Sequence, residues 1–156
     1  MEKKVIDNIE IEIVEYDKSM SRSILSFYQN LPPEDVYKRF FGVCKDFECY
    51  VNNLDDKDGI ILVAIYNGKV IGICEAYPVD KNEWEVAIIV EKSFRRKGVG
   101  RKLLTEIALR IREKGGKKLF GIISRSNIEA IKACKKLGCK AEPYDYQTVK
   151  LYYILD

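Results

Sequence analysis

Two groups of residues in this 156-residue chain have types and spacings suited to chemistry. The first is "FRRKGVGRKLL", Phe94 to Leu104, where Arg95, Arg96 and Lys97 stand directly before Gly98 and Gly100. Val99, Leu103, Ile107 and Ile111 then recur at helical spacing. A glycine turn that opens a helix lets backbone N–H groups approach an anion, and the helix dipole favours negative charge there. The pattern reads R-x-x-G-x-G. It is not a dinucleotide fingerprint, because Leu103 stands where a third glycine would be needed, nor is it a phosphate-binding P-loop. The second group is a pair of carboxylates, Glu75 and Glu85. The turn "PVDKN" between them makes the flanking strands antiparallel, so the two glutamates are expected at roughly opposite positions. Cross-strand carboxylates raise one another's pKa, which moves one of them toward useful basicity.

The elements that must position these residues follow from periodicity and turn chemistry. Ile9 to Glu15 alternates as a strand, and Ser19–Gln29 and Pro33–Phe41 read as helices, the second opened by prolines. Ile60–Tyr66 and Lys69–Tyr77 are strands joined by Asn67-Gly68, a strong hairpin signal, and Glu83–Val90 is a further strand. A helix over Val99–Lys114 stops at Gly115-Gly116. Lys118–Ile123 is a strand, Ser126 and Glu129 predict a capping box for a helix ending near Gly138, and Val149–Leu155 closes the chain. Helices packed on a mixed sheet, α/β in class, are the expected result. With no repeat or linker visible, residues 1–156 are expected to form one domain.

Composition narrows the chemistry. Histidine is absent, which excludes Ser-His-Asp and Cys-His catalysis and removes the commonest transition-metal ligand, so no metal is expected. Cys44, Cys49, Cys74, Cys134 and Cys139 form no CxxC pair and are odd in number. They are expected to be mostly buried, reduced core residues. No apolar run approaches the roughly 20 residues of a membrane span, and the alternating N-terminus lacks a signal-peptide core. A cytoplasmic protein with no membrane partner is the expectation. From Lys92 to Lys118 eleven Lys/Arg face only Glu106 and Glu113, whereas from Glu34 to Asp58 seven acids outnumber four cations. This asymmetry suggests an anion bound on one side and a basic partner on the other. The basic loop lacks the interleaved aromatics of single-strand readers, so direct nucleic-acid binding is not expected.

"FRRKGVG" after the strand "WEVAIIV" resembles the acyl-CoA loop of the GNAT acetyltransferases, and "SNIEAIKACKKLGC" resembles that family's next helix. Asn127, Ala130, Leu137 and Gly138 match it, while Cys134 stands where the family usually has Tyr and Cys139 where it has Phe. "LPPEDVYKRFF", Leu31 to Phe41, is similar to the Pat-type protein lysine acetyltransferases. The resemblance implies a GNAT fold, a mostly antiparallel sheet of about six to seven strands with about four helices, and acetyl-CoA as cosubstrate. It places Ile88, Ile89, Val90, Arg95, Arg96, Lys97, Gly98, Val99, Gly100, Arg101, Asn127 and Cys134 against the cofactor, with a backbone amide near Val90 polarising the thioester. It places the base in the strand of Glu85, with Glu75 the alternative should the register differ by two. A base matters because only about one lysine amine in a few thousand is neutral at pH 7. The leaving thiolate takes its proton from Cys134, Tyr144, Tyr146 or water, although packing is the expected role of the two tyrosines. Cys134 is expected to line the thioester pocket without being acetylated itself. A lysine-bearing protein is the expected acceptor. The alternatives are a small-molecule N-acetyltransferase and a non-catalytic acetyl-CoA sensor.

Overall fold

The computed structural model describes residues 2–6, 9–41, 46–54 and 58–155, with side chains from Glu10 onward. Cys44, Asp55 and Asp56 therefore lie outside the described residues. In chain order the elements are β1 (Glu2–Ile6), β2 (Ile9–Glu15), α1 (Ser21–Gln29), α2 (Pro33–Phe40), α3 (Phe47–Asn52), β3 (Ile60–Tyr66), β4 (Lys69–Pro78), β5 (Glu83–Val90), α4 (Val99–Glu113), β6 (Lys118–Ser124), α5 (Ile128–Lys136), β7 (Lys140–Pro143) and β8 (Thr148–Ile154).

The strands form one sheet in the order β1-β2-β3-β4-β5-β6-β8-β7. Every neighbouring pair is antiparallel except β5 and β6, which the crossover helix α4 makes parallel. The mixed α/β GNAT fold is thus present, with eight strands and five α-helices among the described residues. The additions to the expected count are β1, β7 and α3. β7 is four residues long and exposed throughout, so no apolar alternation announces it. α3 is six residues long, begun by Asp46, whose side chain accepts the Cys49 N–H at 2.8 Å.

Strand periodicity divides the core into two layers. Val99, Leu103, Ile107 and Ile111 of α4 pack on one face against Leu62, Cys74, Ala76, Trp84 and Val86. On the other face α1, α2 and α3 pack Ile24, Tyr28, Val36 and Val51 against Ile61, Val63, Ile73 and Ile89. Glu75, Tyr77 and Glu85 lie on this second face, because Tyr77 pairs with Glu85 and Glu75 with Ala87 across β4 and β5. The cysteine expectation needs correction: Cys74 alone is buried among the described cysteines, Cys49 is exposed, and Cys134 and Cys139 are half-buried.

Candidate active site

A cleft opens where β5 and β6 part. The two strands are in register only through Glu83↔Lys118, Trp84↔Leu119 and Glu85↔Phe120. Beyond that point β5 stays with β4 as far as Val90, and β6 stays with β8 as far as Ser124. Gly121 sits at the divergence, where a Cβ would come within 3.1 Å of the Val86 carbonyl oxygen. The Glu91 N–H donates to Ile71 O at 2.8 Å, so Glu91 faces β4. Antiparallel ladders alternate, so Ile89 also turns its polar backbone to β4, whereas Ile88 and Val90 turn theirs to the cleft. The expected backbone amide near Val90 is therefore aimed into the opening. Of the three residues expected here, Ile89 is turned away, its side chain buried beneath the α1 layer.

The basic loop lies at the mouth of this cleft. Phe94 anchors it by packing on Tyr66, ring centroids 5.3 Å apart. Arg96 at φ 61° and Gly98 at φ 83° swing the chain into α4, whose N-terminus carries no side-chain cap. The first-turn N–H groups of α4 have no intrahelical acceptor and point outward. A Cβ on Gly100 would meet nothing nearer than Val90 Cγ2 at 3.8 Å, so the approach above Gly100 is open. This terminus fits a pyrophosphate. The side chains divide the work unevenly. The Arg95 Nε donates to Val90 O at 2.9 Å, and its Nη2 contacts Asp35 Oδ2 of α2 at 2.9 Å. Arg96 makes an exposed pair with Glu129 at 3.1 Å, and Arg101 is exposed. Asp35 is 2 % exposed, so it belongs to the protein interior and not to an acidic docking face.

On the far side of the cleft, Asn127 caps α5 by accepting the Ala130 N–H at 3.4 Å. The expected Ser126–Glu129 capping box is not formed: Ser126 bonds Ser124, and Glu129 turns to Arg96. Cys134 on α5 shares a hydrogen bond with Cys139, which together with burial pushes the Cys134 thiol well above the usual range. It stays protonated. Tyr144 and Tyr146 are 60 % and 94 % exposed, which corrects the expectation that they serve packing. Asp145 between them explains why. Its Oδ1 accepts from the Gln147 N–H, the Thr148 N–H and the Thr148 hydroxyl at 2.9, 2.8 and 2.7 Å, fixing a tight loop that leaves its neighbours outside.

The two glutamates are not opposite one another. Glu75 pairs with Ala87 and Glu85 with Tyr77, a difference of two residues from the expected register. They are diagonal neighbours on one face, and their environments diverge sharply. Glu85 is exposed, at the last pair before the cleft opens. Glu75 is 1 % exposed and takes donors from Tyr28 at 3.0 Å, Arg39 at 2.8 Å, Tyr50 at 2.6 Å and Tyr77 at 2.5 Å. Burial alone would raise its pKa, yet the Arg39 guanidinium and the phenol donors win and hold Glu75 below the usual carboxylate range. The expected mutual elevation is therefore absent at Glu75. Burial and the nearby carboxylate push Tyr28, Tyr50 and Tyr77 upward, so all three remain phenols. These tyrosines and Arg39 were not legible as a site. Tyr28 and Glu75 are 47 positions apart, and only the fold joins them.

A cleft between splayed parallel strands, with an uncapped helix N-terminus at its mouth, suits an extended ligand that carries a pyrophosphate. The chain belongs to the acetyltransferase (GNAT) family, whose pattern residues 23–139 match, and it is an acetyl-CoA-dependent N-acetyltransferase. Among solved structures it is similar to the GNAT domain of PAT from S. lividans, with a TM-score of 0.88 at 23 % identity over 99 % of this chain and 96 % of that one. It is also similar to a GNAT-family acetyltransferase from Staphylococcus aureus Mu50, with a TM-score of 0.74 at 19 % identity, covering 94 % and 99 % of the two chains. A third similar structure is spermidine N-acetyltransferase from Vibrio cholerae in complex with CoA and spermine, with a TM-score of 0.75, 18 % identity and coverage of 93 % and 95 %. No described helix is long and apolar enough to cross a membrane.

Proposed function

We propose that residues 1–156 act as one catalytic domain that moves the acetyl group of acetyl-CoA directly to a lysine amine of a protein, through a ternary complex. The backbone of Gly98, Val99 and Gly100 receives the CoA pyrophosphate, with Arg96, Lys97 and Arg101 adding charge. Arg95 braces the loop against Val90. The pantetheine arm enters between β5 and β6, with Asn127 and Cys134 on the α5 side. The amine approaches on the face of α1–α3, and Glu85 takes its proton, directly or through water. Its lone pair then attacks the thioester carbon, and the carbonyl oxygen gathers charge opposite the Val90 N–H. The C–S bond breaks and CoA leaves as a thiolate. The proton that the newly acylated nitrogen must shed reaches that thiolate through water, while Cys134, whose thiol keeps its proton, lines the pocket.

The observation that carries this reading is the contrast in access between the two candidate bases. Glu85 is exposed on the last paired step before the cleft, whereas Glu75 is enclosed and already holds donors from four residues. Glu85→Gln should lower kcat by roughly 10²–10⁴-fold while acetyl-CoA affinity stays nearly constant. A loss below tenfold would leave proton removal to solvent.

A protein acceptor is supported by the likeness to the PAT domain over nearly the whole chain, and by exposed contact residues. Tyr37, Phe41, Tyr144 and Tyr146 offer aromatic area, and Glu48 and Asp58 offer exposed negative charge. The cytoplasm, where thiols stay reduced, suits the four free cysteines among the described residues. Acetyl-lysine mass spectrometry of a histone mixture, run beside a spermine assay, tests the acceptor. Faster turnover of spermine at equal amine concentration would move the assignment to a small polycation, the ligand seen with the Vibrio cholerae enzyme.

A further inference from the structure

The carboxylate of Glu75 collects one donor from each of the three helices on its face. Tyr28 comes from α1, Arg39 from α2 and Tyr50 from α3, while Tyr77 of β4 itself supplies the fourth. Apolar rings enclose the cluster. Tyr28 stacks on Phe47 at 5.7 Å, Tyr50 meets Phe40 edge-on at 5.2 Å, and the Arg39 guanidinium lies 4.6 Å from the centre of the Phe40 ring. α2 is fastened twice, since Asp35, one turn before Arg39, contacts Arg95 of the basic loop. At the sheet, Tyr77 stands directly across from Glu85. Its ring fills the space where a Cβ on Gly59 would lie, pinning the chain that returns from α3 to β3. The cluster thus runs without a break from the helical layer to the residue beside the proposed base.

Stability alone does not call for this arrangement. Apolar side chains of similar volume in place of a buried ion pair are often neutral or stabilising, whereas a fully satisfied polar network enforces one geometry. The location of the network then states what that geometry serves. We infer that Glu75 is a positioning residue, which fastens α1, α2 and α3 as the wall of the acceptor pocket beside Glu85 and so sets which amine the enzyme accepts. The inference rests on the acceptor approaching on this face, as proposed above. Glu75 holds its charge throughout turnover and exchanges no proton with the amine. Acetyl-CoA binds on the other side of β5, and the Asp35–Arg95 contact that joins α2 to its loop does not involve Glu75.

Glu75→Gln and the milder Tyr50→Phe test it, with three readouts on the full-length enzyme: hydrogen exchange across α2 and α3, initial rates with a histone mixture and with spermine, and acetyl-CoA affinity by calorimetry. Glu75→Gln should speed exchange in α3 by about tenfold or more and raise the acceptor KM by about tenfold. Its kcat should fall by less than about fivefold, with the acidic limb of the rate–pH profile in place. Acetyl-CoA affinity should stay within about twofold. Tyr50→Phe should change exchange and KM in the same direction, by about threefold. A collapse of kcat at unchanged KM, with the acidic limb lost, would make Glu75 the base and overturn the inference. Wild-type exchange and KM in both variants would reduce the cluster to packing. Should Glu75→Gln fail to fold, Tyr50→Phe decides alone. If the wild type acetylates neither acceptor, the amine-transfer reading fails, and the exchange measurement still judges the fastening.

Discussion

The two flanks of β5 handle polar groups in opposite ways. On the β4 side, the guanidinium of Arg39 and the hydroxyls of Tyr28 and Tyr50 all donate to the buried carboxylate of Glu75, and Arg39 also donates to Tyr50. On the β6 side, the Val90 N–H and the uncapped first turn of α4 point into an opening, and Glu85 stands in solvent. A buried polar group without a partner costs free energy, so a fold satisfies the groups it uses for architecture. Those it leaves directed at open space are the ones available to a ligand. The contrast therefore separates structural from chemical residues within a single strand's width, and substitutions on the two flanks should fail in different assays.

The largest expected effect breaks the filled flank. Glu75→Ala leaves the largely buried Arg39 without its anion, and such removal of one partner costs up to about 3–5 kcal/mol. Glu85→Ala, on an exposed strand position, should change stability by no more than about 0.5 kcal/mol. Urea unfolding of both variants measures the difference, and equal losses would erase the distinction between the flanks. The same asymmetry has a pH signature. The folded state holds Glu75 below its unfolded value, so its contribution is present above about pH 4.3 and fades as pH falls through the lower folded value. Tyr28, Tyr50 and Tyr77 are shifted upward, so their contribution is intact below about pH 10 and fades as pH rises beyond it. In Glu75→Ala the acid-side loss should flatten relative to wild type.

The open β6 flank is where sequence carried most information. The glycines and cations of "FRRKGVG" are contiguous, and their conformational demands are local, so an anion-binding helix start could be read without tertiary structure. Strand β5 and helix α4 were legible for the same reason, since period and turn residues act over a few positions. Register was not. Glu75 and Glu85 were separated by a turn whose exact pairing depends on Val79 and Asp80 both bonding to Glu83 O, which shifts the partners by two. The filled flank was the least legible part, because its members come from three helices and a strand and meet only after the sheet has formed. Asp35 shows the same limit: surrounded by charged neighbours, it reads as surface, yet it is drawn inside by Arg95.

A substitution on the open β6 flank sharpens the comparison at smaller cost. Gly100→Asp should place a carboxylate where the first turn of α4 awaits an anion, both obstructing and repelling it. Acetyl-CoA binding should weaken at least tenfold, about 1.4 kcal/mol or more. Stability should barely move, because a Cβ at Gly100 meets only Val90 Cγ2, at ordinary contact distance. Unchanged affinity in calorimetry would remove the loop from the binding site.

The smallest effect concerns Cys134, which sits between the two categories: half-buried, bonded to Cys139, yet on the α5 side of the cleft. A thiol that accepted the acetyl group would need to ionise first, since the thiolate is the nucleophile. The contact with Cys139 and burial act the other way, holding the Cys134 proton in place, and no histidine exists to remove it. Direct transfer to the amine is therefore expected, with intersecting initial-rate lines and no acetylated Cys134 after acetyl-CoA is added without acceptor. Cys134→Ala should lower kcat by less than about tenfold, because a thiol that keeps its proton only shapes the pocket, and water carries the proton to the leaving thiolate. Cys134→Tyr should keep most activity if the side chain only lines the pocket. An acetyl-Cys134 species formed as fast as turnover would instead place the thiol among the groups the fold leaves open for chemistry.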